Sequence, residues 1–111
     1  LKSKGVDLID CSSGGVIGPS GRALIRPAPG YLLPYAEKVH HAADIPTMAV
    51  GLITEAHQAN DIIASDQANL VAMGRQLLDD PNFVFHAAKE LSHPDPYGIL
   101  PESYGLALER R

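Results

Sequence analysis

The sequence predicts an α/β fold: a parallel sheet with helices packed outside it. Two observations carry that prediction. Short apolar runs of strand length alternate three times with longer segments whose apolar residues recur at helical spacing. Gly, Pro and Asp punctuate the joints between these segments, where a chain changes direction. The three strand–helix units are similar in length, share no clear repeat, and contain no low-complexity stretch.

The first strand is expected over residues 5–10, where Val6, Leu8 and Ile9 are apolar, with Ser12-Ser13-Gly14-Gly15 as the loop at its end. Gly18, Pro19, Gly21, Pro27, Pro29 and Gly30 then write a loop over residues 16–31, long enough to suggest a function or mobility. Pro34 suits the first turn of a helix whose stripe is Ala36, Val39 and Ala43, closed by Asp44-Ile45-Pro46. Thr47-Met48-Ala49-Val50 is the second strand, followed by Gly51-Leu52-Ile53. Thr54 is the expected N-cap of a helix reaching about Ser65, with Ala56, Ala59 and Ile63 inward. Leu70-Val71-Ala72-Met73 is the third strand and ends in Gly74-Arg75. Asp80 and Pro81 suit the N-cap and first position of a last helix striped by Val84, Ala87, Ala88 and Leu91. Beyond Ser92, Pro94, Pro96 and Pro101 oppose regular structure until a short turn near Tyr104 to Arg110.

Composition narrows the function. At 45% hydrophobic and 20% charged, the chain suits one globular unit, and a net charge of -4 argues against general affinity for nucleic acid or an anionic membrane. No apolar run approaches the roughly 20 residues that span a bilayer, and no signal peptide is visible. The single cysteine, Cys11, excludes an internal disulfide framework and fits a reducing, cytoplasmic setting, where it reads as a small hydrophobe. The chain opens at Leu1 without Met, directly before an apolar run, as a segment of a longer protein would.

The chemistry is expected at the carboxyl ends of the strands. The last two strands both end in glycine, Gly51 and Gly74, and both lead into helices. Their backbone N–H groups and the Arg75 guanidinium make an anion cradle, because glycine lets a ligand approach the backbone and arginine offers a fixed fork of donors. The competing reading is two structural turn glycines, with Arg75 paired to a carboxylate such as Asp79. Elsewhere the bland readings win. His40 and His41 are adjacent, so on a helix they diverge by about 100° and read as a solvated face rather than a metal clamp. His57 and Asp61 share a helix face without a third ligand, and His86 and His93 have no partner pattern. Arg22 and Arg26 read as loop cations, Asp7 and Asp10 as polar residues of the rim. No nucleophile–base–acid set is present.

Several ordered motifs carry more than their physics. Gly5-Val6-Asp7-Leu8-Ile9-Asp10-Cys11-Ser12-Ser13-Gly14-Gly15, then Pro29-Gly30-Tyr31 and Pro34-Tyr35-Ala36-Glu37, begin the pattern. Ala49-Val50-Gly51-Leu52-Ile53-Thr54 and Met73-Gly74-Arg75-Gln76-Leu77-Leu78-Asp79-Asp80-Pro81 continue it. Together they resemble the old yellow enzyme family, in particular its bacterial NADPH dehydrogenase and xenobiotic reductase branch, over nearly the whole chain. The resemblance implies the C-terminal part of a (β/α)8 TIM barrel: residues 1–91 as the last three βα units and residues 92–111 as a tail at a subunit interface. It implies FMN as cofactor, NADPH as reductant, an activated alkene as substrate and a homo-oligomeric parent. Gly51 and Leu52 would offer backbone N–H groups to the FMN phosphate, Gly74 and Arg75 match the family's phosphate-binding pair, and Ser12 and Ser13 would lie near the cofactor. Tyr104 and Arg110 fall where some members reach a partner subunit, although Leu106-Ala107 replaces an expected aromatic side chain. Asn82-Phe83 likewise departs from the usual aromatic pair. The family's flavin-ring and substrate residues come from earlier strands, so no catalytic residue and no metal ligand is assigned here. The 111 residues are expected to be inactive alone. The alternative is a non-catalytic half-barrel that self-associates through its open edges or binds a phosphate ligand.

Overall fold

Three short parallel strands form the centre of the molecule: β1 (Ile9–Cys11), β2 (Thr47–Ala49) and β3 (Leu70–Val71), in the order β1-β2-β3. The computed structural model describes residues 1–12 and 28–111. Ser13, Arg22, Arg26 and most of the expected 16–31 loop lie outside them. Ile9 pairs with Thr47 and Cys11 with Ala49, while Met48 pairs with Leu70 and Ala49 with Val71. The fold is therefore mixed α/β with a parallel sheet, as the alternation predicts. The first strand starts later than expected, so Asp10 lies within β1 opposite Met48 rather than at the rim.

Helices follow each strand: α1 (Leu33–Ala43), α2 (Ala56–Ala64), the single turn α3 (Arg75–Asp79), α4 (Phe83–Glu90) and α5 (Glu102–Glu109). The core is Ala36 of α1, Ala49 of β2, Ile53, Ile62 of α2 and Ala68, with Cys11, Val71 and Met73 packed against it. Side chains alternate across a strand, so Thr47 and Ala49 are buried beneath the helices while Met48 points to the opposite face. That opposite face carries Asp10, Met48 and the 50%-exposed Leu70. Among the described residues, no helix is long and apolar enough to cross a membrane.

Local chemistry moved several boundaries. Pro34 sits in the first turn of α1, as expected, but Ala43 is exposed and His40 occupies the half-buried position one turn beyond Ala36. Helix α2 is capped by Glu55, not Thr54: the Gln58 side chain reaches back to accept the Thr54 N–H at 3.1 Å, a displaced form of the capping box. Its inward residue is Ile62, at 3% exposure, whereas Ile63 is 44% exposed. Burial of a side chain of that size contributes about 1.5–3 kcal/mol. Asp80 closes α3, and Asn82 is the N-cap of α4. The Asp80 carboxylate still organises the start of α4, accepting the Asn82 N–H at 3.0 Å and the His86 Nδ1–H at 2.7 Å. The tail holds a 3-10 turn (Tyr97–Ile99) and a helix of eight residues, more than the short turn expected. Gly105 allows this, because a Cβ there would lie 2.7 Å from the Tyr97 carbonyl oxygen.

Thr47 is fully buried, and its hydroxyl has no hydrogen-bond partner among the described residues. Its backbone is satisfied by Asn69, whose Oδ1 accepts the Thr47 N–H at 3.1 Å. Thr47→Val removes only the orphan hydroxyl and is expected to raise unfolding stability by about 1 kcal/mol. The check is a higher denaturant midpoint at unchanged slope; a lower midpoint would contradict it.

Candidate functional site

The parallel register places the ends of all three strands on one rim. Ser12 follows β1 directly, Gly51 lies two residues beyond Ala49, and Gly74 three beyond Val71. The Ala72 N–H donates to the Ala49 carbonyl at 2.8 Å, so the chain leaving β3 stays beside the chain leaving β2. Neighbouring strands are about 4.8 Å apart, so Ser12, the Gly51-Leu52 turn and the Gly74-Arg75 turn occupy adjacent lanes. Ser13 lies outside the described residues.

The Gly51-Leu52 turn is the strained part of this rim. Gly51 has φ 118, open to glycine, and its added Cβ would meet Tyr31 Cε1 at 3.0 Å and the Leu32 nitrogen at 3.3 Å. The Gly30 N–H donates to the Gly51 carbonyl at 2.8 Å, tying the chain before α1 to the turn. Leu52 has φ 50, where a side chain with a Cβ costs about 1–2 kcal/mol. Gln58 holds the turn in place: its Nε2 donates to the Leu52 carbonyl at 3.4 Å while its Oε1 accepts from Thr54. Strain maintained by such supports clusters at ligand sites. The sequence reading missed Gln58 and Tyr31, although a Gln three residues after the Glu55 cap is the capping-box signal in displaced register.

Gly74 is exposed, and among the described residues nothing lies within 4 Å of a Cβ built on it. Arg75 begins α3, is exposed, and makes no ion pair with any described residue. The competing sequence reading, an Arg75–Asp79 pair, is therefore not what forms. No side chain caps the first turn of α3. The rim thus presents a guanidinium and uncapped backbone donors beside a backbone turn held in an unusual conformation.

Cys11 is half-buried beneath this rim; burial, with Asp10 adjacent, pushes its thiol above the ordinary value. A thiol so disposed is a packing group. Tyr104 and Arg110 do not join the rim. Tyr104 lies in α5, which packs on the 3-10 turn after α4, and Arg110 is the C-cap of that helix. Tyr104 is 65% exposed and borders a groove of about 860 Å³ with Phe85, Tyr97 and Leu108. His57 pairs with Glu90 of α4 at 3.5 Å rather than with Asp61.

A parallel sheet with helices packed against it and its strand ends gathered on one rim defines a mixed α/β protein. Comparison with known sequences narrows this class: residues 1–93 match the NADH:flavin oxidoreductase / NADH oxidase family, and the chain belongs to it. This is the old yellow enzyme family to which the motifs point. The chain is 45% identical to the NADPH dehydrogenase of Bacillus subtilis (strain 168) over 102 residues, covering 92% of this chain and 29% of that protein. It is 47% identical to the NADPH dehydrogenase of Geobacillus thermodenitrificans (strain NG80-2) over 91 residues, 82% of this chain and 26% of the relative. The NADPH dehydrogenase of Listeria monocytogenes serotype 4b (strain CLIP80459) is 41% identical over 91 residues, with the same coverage of each. The chain thus spans less than a third of these relatives.

Proposed function

We propose that this chain is the C-terminal part of a (β/α)8 barrel, and that its rim anchors the phosphate of FMN in an NADPH-dependent oxidoreductase. The observation that carries the reading is the Arg75 guanidinium, free of ion pairs among the described residues, on the same rim as the strained Gly51-Leu52 turn. The donor set fits a phosphate: a planar fork of N–H groups, a glycine at Gly74 that no described residue crowds, and a second turn whose shape is held by Gln58. The open face of Asp10, Met48 and Leu70 supports the barrel, because parallel sheets are normally covered on both faces and a barrel interior would cover this one.

In this reading residues 1–91 are the last three βα units, and residues 92–111 reach a subunit interface through Tyr104 and Arg110 in a homo-oligomer. Gly74 and Arg75 bind the phosphate, Gly51 and Leu52 add backbone donors, and Ser12 and Ser13 line the neighbouring lane. FMN, when bound, supplies hydride transfer from NADPH to an activated alkene. The chain's own residues hold and orient; none of them exchanges a proton with substrate. The test is NADPH oxidation by the flavin-loaded complete protein that carries this segment, with and without an activated alkene, in the absence of oxygen. One saturated product per NADPH consumed is expected. A flavin-loaded protein that oxidises NADPH and leaves every alkene intact would overturn the substrate assignment.

A further inference from the structure

We propose that His40, His41 and Asp66 form a binding site for a divalent transition ion of the zinc class, on the sheet rim opposite Arg75. The three side chains offer ligand atoms that all lie within 4.8 Å of one another. They come from the last turn of α1 and the turn between α2 and β3, segments that precede β2 and β3, whereas Gly51 and Gly74 follow them. The site is thus independent of the phosphate reading and would brace α1 against the entry to β3.

The geometry around His40 is that of a preset ligand. The Ile45 carbonyl can only accept, so His40 Nδ1–H donates to it at 3.0 Å, which fixes the ring and leaves Nε2 as the atom facing outward. A backbone carbonyl on the second ring nitrogen is the usual support of a metal-bound histidine. Nε2 lies 3.1 Å from Asp66 Oδ1. Bonds of about 2.0–2.2 Å to a tetrahedral zinc place neighbouring ligand atoms roughly 3.3–3.5 Å apart, so an ion enters between these two atoms with little movement. Asp66 is held at φ 59, which directs its carboxylate from a tight turn. His41 is exposed and its ring centroid is 4.8 Å from that of His40, so a change of its rotamer by roughly 1–2 Å completes a three-ligand set with water as the fourth. Two imidazoles and one carboxylate favour zinc, nickel or copper over magnesium or calcium.

Without an ion, the same atoms make a histidine–carboxylate hydrogen bond, and protons compete with the metal. The groups facing His40 are Asp66, His41 and Asp44, the last bonded to Lys2 Nζ at 2.8 Å. The Ile45 carbonyl and Asp66 hold the His40 pKa above the ordinary histidine value.

The test is titration of the full chain with zinc chloride by calorimetry, with the imidazole NMR signals followed in parallel. One ion per chain is expected, shifting the His40 and His41 signals and raising the melting temperature. Asp66→Asn keeps a residue that tolerates the left-handed turn, and His41→Ala alters an exposed side chain; each should weaken binding by at least about tenfold, the loss that even outer-shell partners produce. His57→Ala should leave affinity unchanged. No binding, unchanged affinity in both Asp66→Asn and His41→Ala, or shifts confined to His57, His86 and His93 would each overturn the proposal.

Discussion

Arg75→Ala in the complete protein is expected to weaken FMN binding about 10–100-fold while leaving the fold intact. A hydrogen bond to a charged group contributes about 1.5–3 kcal/mol net, and each 1.4 kcal/mol is a factor of ten in affinity. Stability should change by less than about 0.5 kcal/mol, because the Arg75 side chain is exposed and no described carboxylate depends on it. Asp80, the acid that organises this stretch, is committed to Asn82 and His86 instead. Arg75→Lys should fall between the two, keeping the charge but not the planar fork. Flavin fluorescence titration reads the affinity and denaturant unfolding the stability; a loss in both at once would mark Arg75 as structural.

Gly51→Ala should act the other way, through the backbone. At φ 118 an alanine is strained, and its Cβ would press on the Tyr31 ring at 3.0 Å and on the Leu32 nitrogen. Strain of about 1–2 kcal/mol and overpacking of about 1–3 kcal/mol together predict a destabilisation of about 2–5 kcal/mol. The Gly30–Gly51 hydrogen bond and the start of α1 should loosen with it, since Tyr31 and Leu32 lead directly into that helix. Urea unfolding measures the loss. A variant as stable as the parent would show that Tyr31 yields and that the turn is not held as described.

These residues also show where the sequence was legible. The alternation of strands and helices predicts the parallel sheet, and its register brings Gly51 and Gly74-Arg75 to the same end of it. Local signals failed where a residue outside the expected motif, or a shift of one position, decided the outcome. Thr54 looked like a cap, yet Gln58 set the helix start by reaching back along the chain. Ile63 fitted the expected stripe, but Ile62 faces the core, a shift of one position that helical periodicity over nine residues does not resolve. Asp80 is expected as the N-cap, but Asn82 takes that place, because Arg75–Asp79 forms a turn of its own that Asp80 closes. Helix α5 depends on Gly105 lying against the Tyr97 carbonyl, and the His40–Asp66 contact joins residues 26 apart. Neither contact leaves a local trace. Adjacent histidines on a helix predict a solvated face, yet the side chain of His40 is only 16% exposed and both its ring nitrogens are engaged.

The most direct test of the phosphate anchor compares FMN with riboflavin, which lacks the phosphate, on the parent protein and on Arg75→Ala. The four affinities form a cycle that isolates what Arg75 and the phosphate do together. The account predicts that the substitution costs FMN about 10–100-fold and leaves riboflavin within about twofold. Equal losses for both flavins would place Arg75 away from the phosphate and contradict the assignment of this rim.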